Sequence, residues 1–305
     1  MSGDPKPIVV GVDGSASALR AVGWAAAEAR RRHVLLSLVH VVDEAPLAAV
    51  RFVPRYDEVV RIASMRGRRL LRQARDLARQ AEPTVAQSEH LLRGTVSGWL
   101  RTESEDASLL VLGTEPAGAI GRLVAGSVAI DLAAHASCPV VLVRSHVAED
   151  EPPETGPIVV GVAGTPASEA ALAFAFEEAA LRRTGLVVVH SLDDRLLVTL
   201  FEEGKRQLDH TAVEKHEDQA LADRLAGWRE KYPDVSVDRI VVRGRPATRL
   251  LDLADRAQLL VVGGRGRGGF TGLLFGSTSQ DVLSRALCPV VVVRDYEDSG
   301  TPPRG

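Results

Sequence analysis

Cysteine and lysine are scarce in this 305-residue chain, and each scarcity excludes a class of protein. Only Cys138 and Cys288 occur. Two thiols build neither a disulfide framework nor a multi-cysteine metal centre, and both read as small buried residues ahead of Pro139 and Pro289. Lysine appears only as Lys6, Lys205, Lys215 and Lys231. None completes a GxxxxGK[ST] loop, which removes the geometry of a P-loop NTPase. No Gly-x-Ser-x-Gly elbow and no His-x-x-x-His ligand pair is present. Nothing supplies an evident nucleophile, metal set or general base, so a catalytic site is not expected.

Long apolar runs and a strong charge of one sign are missing as well. No stretch approaches membrane-spanning length, and the start, Met1 to Pro7, lacks the apolar core of a signal peptide. A net charge of −3 gives no global attraction to nucleic acid or membrane. With 45% hydrophobic and 25% charged residues, the composition predicts a soluble, cytoplasmic protein with ample core.

What the chain does contain is a copy of itself. Residues 8–144 and 158–294 are one sequence written twice at an offset of 150. Ile8-Val9-Val10-Gly11-Val12 recurs as Ile158-Val159-Val160-Gly161-Val162, Val39-His40 as Val189-His190, and Cys138-Pro139-Val140-Val141 as Cys288-Pro289-Val290-Val291. A repeat of this length is a duplicated domain rather than a solenoid unit. The expected organisation is a first domain over 1–146, a linker over 147–157 rich in acid and proline, a second domain over 158–296, and a tail over 297–305.

Each repeat reads β-α-β-α-β-α-β-α-β. In the first, strands are expected at Ile8–Val12, Val34–Val42, Val85–Leu92, Leu109–Leu112 and Val140–Val143. Helices are expected from about Ser17 to Arg32, from about Asp57 to Gln80, after Gly94 and from Ser127. Short, continuously apolar strands alternating with helices predict a doubly wound parallel α/β sheet covered on both faces. Ligands of such sheets bind where the winding reverses, at the carboxyl ends of the strands. The basic row on the second helix (Arg61, Arg66, Arg68, Arg69, Arg72, Arg75, Arg79) reads as a solvated face. The recurring His40 and His190 read as satisfied structural histidines.

The most informative motif follows the fourth strand of the second repeat. Gly263-Gly264-Arg265-Gly266 is followed by nine residues and then Gly276-Ser277-Thr278, just before an apolar-periodic stretch. The order is strand, glycine-rich loop, helix start. Glycines let backbone N–H groups approach an anion, and Ser277 and Thr278 add hydroxyls at a positive helix N-terminus. The overlapping Gly264-x-Gly266-x-x-Gly269 matches a dinucleotide pattern, but it follows the fourth strand and lacks an immediate helix.

This G-x2-G-x9-G-[S/T] spacing closely resembles the ATP-binding signature of the universal stress protein family. The first strand ending Val12-Asp13-Gly14-Ser15 and the Cys-Pro-Val-Val of the last strand support the resemblance, which covers nearly the whole chain in tandem. It implies two flavodoxin-like (Rossmann-like) domains, each a five-stranded parallel sheet of order 3-2-1-4-5. It also implies pairing of fifth strands, Val140–Val143 with Val290–Val293, as an intramolecular pseudo-dimer, with homodimers of the chain as a further assembly. The implied cofactor is ATP, with Mg²⁺ admissible beside it.

Carried onto this sequence, the second site comprises Gly161, Val162, Gly263, Gly264, Arg265, Gly266, Arg267, Gly268, Gly269, Gly276, Ser277 and Thr278. Asp193 or Asp194 stands in for the family's strand-one aspartate, which is Ala163 here. The first site comprises Gly11, Asp13, Gly113, Thr114, Gly126 and Ser127, but Glu115 and Pro116 stand where the second repeat has Arg265 and Gly266. Proline has no N–H to donate, and Glu115 brings negative charge towards phosphates. The second site is therefore expected to be the stronger. Three functions follow: a nucleotide-binding stress or signalling protein in which ATP is a bound effector, a slow ATPase or nucleotide-dependent transferase, and a nucleotide-free scaffold.

Overall fold

The computed structural model describes residues 5–44, 56–114, 126–144, 153–163, 165–192, 210–264 and 276–295. Contacts divide the chain into two compact units, the first boundary along the sequence falling between residues 152 and 153. In the first, β1 (Ile8–Gly11), α1 (Ala16–Arg32), β2 (Leu36–Asp43), α2 (Tyr56–Ala81), β3 (Gln87–Gly94), α3 (Val96–Glu105), β4 (Leu109–Gly113), α4 (Ser127–His135) and β5 (Val140–Val143) follow in order. In the second come β6 (Ile158–Val162), α5 (Pro166–Arg182), β7 (Leu186–Leu192), α6 (His210–Lys231), β8 (Val237–Arg243), α7 (Pro246–Ala254), β9 (Leu259–Gly263), α8 (Ser277–Arg285) and β10 (Val290–Val293).

Within the first unit the strands run β3-β2-β1-β4-β5, all parallel, and within the second β8-β7-β6-β9-β10. This is the expected doubly wound order. The switch lies between β1 and β4, where Ile8 pairs with Leu109 and Val10 with Val111. Ile158 and Leu259 repeat the pairing in β6 and β9. Both central strands are buried on both faces, which is why they read as uninterrupted Val, Ile and Leu.

Local chemistry sets the element ends. Ser15 caps α1, its hydroxyl accepting from the Ala18 N–H, and Arg30, Arg31 and Arg32 occupy the last turn near the negative end of the dipole. The expected second strand begins two residues later than its apolar pattern because Val34 serves the helix: its N–H donates to the Ala29 carbonyl beyond a left-handed His33. Val85 is likewise drawn into a turn, donating to Glu82, so β3 begins at Gln87. α5 carries the fuller start signal, a Thr165–Ser168 capping box with Pro166 in the first turn.

Val60, Gly67, Leu71, Ala74 and Ala78 form the buried stripe of α2. Six arginines of its basic row are exposed to solvent, and Arg75 pairs with Asp76 and Glu89. In the second unit Phe176 fills the place of Ala26 and stacks on Trp228 and Tyr232 of the α6 side, with ring centroids 5.7 and 5.8 Å away. Both cysteines are buried as thiols outside any disulfide, and burial pushes the Cys138 thiol up to about 12, so it stays protonated and inert. No helix among the described residues is long and apolar enough to cross a membrane.

Each unit also buries one glutamate on the helix after its first strand. Glu28 receives Arg31 and Arg32, whereas Glu178 receives Arg182 Nε at 2.8 Å. Arg182 also donates to Gln258, which in turn donates to the Gly156 carbonyl, so one buried network ties α5 to the segments entering β6 and β9. Removing only the acid strands a desolvated guanidinium. Glu178→Ala is therefore expected to lower unfolding stability by about 3–5 kcal/mol, measured by urea denaturation. An exposed control, Glu230→Ala, is expected to shift it by no more than about 0.5 kcal/mol.

Candidate functional site

In the first unit a cavity of about 460 Å³ opens at the carboxyl ends of β1, β2 and β4. Its inner wall is apolar: Val39 and Val41 from β2, Leu112 from β4, Val96 and Leu100 from α3. Gly11 keeps it open on the strand side, since a Cβ there would lie 2.9 Å from Leu112. All six residues expected in this site, Gly11, Asp13, Gly113, Thr114, Gly126 and Ser127, line this one cavity. Residues up to 116 positions apart in sequence meet there because β1 and β4 are neighbours.

Asp13 sits just past β1 as the head of a tight turn, one carboxylate oxygen accepting the Ser15 N–H at 2.8 Å. Its second oxygen remains for a hydroxyl donor. Opposite, α4 begins at Gly126, which offers no side-chain cap, and its first residues, Ser127, Val128 and Ala129, face the cavity. Their N–H groups have no intrahelical acceptor. The cavity thus has an apolar wall, a carboxylate at its mouth and a positive helix end.

Two glycines expected to serve the ligand serve the fold first. A Cβ on Gly113 would lie 2.2 Å from the Ser17 carbonyl carbon and oxygen, and one on Gly263 would lie 3.0 Å from the Ala167 oxygen. At Gly113 the end of the fourth strand must be glycine because the first helix starts against it, and at Gly263 the same fit is tight. The N–H groups of Thr114 and Gly264 are also engaged, donating to the Val143 and Val293 carbonyls at 3.1 and 2.8 Å. These two extend the sheet instead of meeting an anion. The Thr114 hydroxyl accepts from Nε of Arg144, which is almost wholly buried. Sequence reading missed that arginine, whose recurrence as Arg294 was the available signal.

In the second unit Gly161 and Val162 close β6, Gly263 closes β9 with Gly264 just beyond it, and Ser277 and Thr278 open α8 after Gly276, again without a side-chain cap. Asp193, Asp194, Arg265, Gly266, Arg267, Gly268 and Gly269 lie outside the described residues, as do Glu115 and Pro116 of the first repeat. Ser279, also missed, is buried and donates to the Gly263 carbonyl at 2.8 Å, tying α8 to the end of β9. Its counterpart is Ala129, so the first unit lacks this tie.

The recurring histidines are structural in their bonding. Nδ1 of His40 donates to the Val12 carbonyl at 2.6 Å, and Nδ1 of His190 lies 3.3 Å from the Val162 oxygen. The outer edge of His40 faces Gly67 of α2, where a Cβ would come within 2.5 Å of the ring. Position 67 recurs as Glu217, whose carboxylate lies 3.3 Å from Nε2 of His190. Outside the cavity, Arg101 of α3 grips Asp131 of α4, with His135 beside it. Burial pushes the Asp131 carboxyl up, but the Arg101 hydrogen bond and charge, with His135, outweigh this and hold it below the usual carboxylate range. Among the described residues no group of three or more His, Cys, Asp or Glu could hold a metal ion.

The profile described as the universal stress protein family matches residues 5–144 and again 154–294. Universal stress protein Rv2005c of Mycobacterium tuberculosis is 40% identical over 291 residues, which cover 94% of this chain and 96% of the relative. Universal stress protein Rv2623 of the same organism is 39% identical over 292 residues, with the same coverage. Among solved structures, a universal stress protein from Archaeoglobus fulgidus superposes with a TM-score of 0.72 at 17% identity, covering 95% of this chain and 98% of that one. At that identity the likeness shows the fold.

Two of the three glycines of the first site, Gly113 and Gly126, separate packing from ligand binding. Gly113→Ala forces a methyl group into backbone and is expected to lower unfolding stability by about 3 kcal/mol or more. A Cβ on Gly126 meets nothing within 4 Å, and Gly126→Ala is expected to cost under about 1 kcal/mol, the scale of a helix-cap change. Chemical denaturation of the two variants in parallel checks the contrast.

Proposed function

The chain belongs to the universal stress protein family, matched twice over nearly its full length, and on that footing we propose that it is a cytoplasmic nucleotide-binding protein in which bound ATP acts as an effector for stress response or signalling. The observation carrying this reading is the cavity of about 460 Å³ between Asp13 and the uncapped start of α4. Apolar walls suit a nucleobase, Asp13 suits a ribose hydroxyl, and free N–H groups at a helix N-terminus suit a phosphate.

In the second domain the triphosphate would lie along Gly263–Gly269 and against Gly276, Ser277 and Thr278, with Asp193 or Asp194 near the nucleoside. Gly263 and Gly276 to Thr278 frame the strand end and helix start that such a loop requires. Mg²⁺ would travel with the nucleotide, held by its phosphates.

What faces the first cavity supports an effector role over a catalytic one. Among the described residues lining it, only Asp13 and His40 are ionisable. Asp13 is at the nucleoside end, and His40 is bonded to a carbonyl and turned towards α2. Amides and hydroxyls bind ground-state phosphates, but they supply neither a general base for an attacking water nor a cation for the charge of a transferring phosphoryl group.

Mass spectrometry of the small molecules released by denaturing the purified protein is expected to show an adenine nucleotide. Gly266→Pro, which copies the first repeat's Pro116, should weaken ATP binding at least about ten-fold by calorimetry through loss of an amide donor. Hydrolysis should stay far below the usual enzyme range of about 1–10³ s⁻¹. Turnover of several per second, abolished by Ser277→Ala, would replace the effector reading with an enzymatic one.

A further inference from the structure

We infer that the outward face of α2 is a docking surface for an acidic, partly apolar segment of another protein. None of its residues lines the cavity at the ends of β1 and β4, so the surface stands independently of the nucleotide reading.

On the outward side of α2, Val59, Ile62 and Met65 recur every third residue and are 39%, 53% and 52% exposed. The helix already packs by its Val60–Ala78 stripe, so these three have no part in its burial. Seven residues on, the same row reads Arg66, Arg69 and Arg72, with Arg61, Arg68 and Arg79 along one flank. Arg61 reaches Glu58 at 3.8 Å, and Arg75 is taken by Asp76 and Glu89. Arg66, Arg68, Arg69, Arg72 and Arg79 make no ion pair among the described residues. Arg66 and Arg69, Arg69 and Arg72, and Arg68 and Arg72 stand three or four residues apart, so like charges neighbour one another in a way that opposes the helix. Uncompensated cations beside exposed apolar groups are complemented by a partner that brings carboxylates and apolar side chains together.

The second repeat is an internal control. At the positions of Val59, Ile62 and Met65 it has Asp209, Ala212 and Lys215. At those of Arg66, Arg68, Arg69 and Arg72 it has His216, Asp218, Gln219 and Ala222. α6 also settles charges within its own domain, Asp218 with Arg239 and Arg224 with Glu169. An equivalent helix thus forms without the apolar row and without the arginines, so the fold requires neither.

Charge and shape select the occupant. No exposed residue of α2 is aromatic, so the face lacks the side chains that anchor a helix at a lipid interface, and a net charge of −3 opposes an anionic membrane. A second copy docking through the same face would set arginine against arginine across a two-fold axis. An acidic protein segment meets both halves of the row. From Val59 to Arg72 the face runs about 20 Å at the helical rise, the reach of a short peptide.

Selection of a phage-displayed random peptide library on the intact chain, followed by titration of the enriched peptides by fluorescence anisotropy, tests the assignment. The enriched sequences should combine Asp or Glu with Leu, Ile or Phe, and their binding should weaken as salt rises. Ile62→Ser with Met65→Ser, and separately Arg69→Glu with Arg72→Glu, should each weaken binding at least about ten-fold. All four positions are exposed, so both variants should unfold at the wild-type urea concentration. Lys215→Ser with Gln219→Glu, the matching change on α6, should leave binding within about two-fold. No enrichment, enriched peptides without net negative charge, or equal binding to the wild type and both α2 variants overturns the docking surface. Sedimentation with phosphatidylserine–phosphatidylcholine vesicles that the arginine variant loses gives the face to lipid and overturns the protein partner. A dimer in analytical ultracentrifugation that the apolar variant dissolves gives it to a second copy and overturns the partner equally.

Discussion

The pairing of the first strand with the fourth is the contact on which the rest of each domain depends. Ile8 to Val10 lie against Leu109 to Val111, and Ile158 to Gly161 against Leu259 to Val262. From that pair the chain winds outward in both directions, so the crossovers leave β1 and β4 to opposite sides and a crevice opens at their carboxyl ends. The same pairing demands a glycine at the end of the fourth strand, because the first helix starts within 2.2 Å of where a Cβ of Gly113 would stand. A helix start and two strand ends are thereby crowded around one cavity, and the start of α4 completes it.

This frame is common to both copies, while the side chains around it have diverged. Asp13 has become Ala163, Val128 has become Thr278, Ala129 has become Ser279, and Gly67 has become Glu217. None of these changes touches the buried strands, which keep the same order and the same parallel register. The cores also differ without moving the frame: Ala26 becomes Phe176, which is accommodated by Trp228 on α6 and Tyr232 just after it. Duplication thus leaves two equivalent frames whose surrounding side chains change independently, because these come from strand ends and helix starts outside the closely packed sheet.

Much of the fold was legible in the sequence, for physical reasons. Strands buried on both faces have to be continuously apolar, and helices on both sides of a parallel sheet have to alternate with them. The written repeat then checked every element twice. The ends were less legible, since Val34 and Val85 look like strand residues but donate to Ala29 and Glu82. The site was half legible. Glycines and hydroxyls before α4 and α8 pointed to the crevice, and Asp13, Gly113 and Ser127 do meet there. What the sequence hid was which donors are already engaged: the N–H groups of Thr114 and Gly264 belong to the sheet, and the Thr114 hydroxyl belongs to Arg144. Such pairings link residues about 30 apart through strand register, which no local pattern records.

The central claim is that nucleotide phosphates are bound by the uncapped starts of the helices after the fourth strands. Hydrogen–deuterium exchange of the intact chain with and without ATP addresses it most directly, because those amides lack intrahelical acceptors and a ligand that bonds to them slows their exchange. The account predicts slowed exchange at Ser277, Thr278 and Ser279 when ATP is present, with the amides of β9 unchanged. Exchange at 277–279 that is indifferent to ATP, while ATP demonstrably binds, would contradict it.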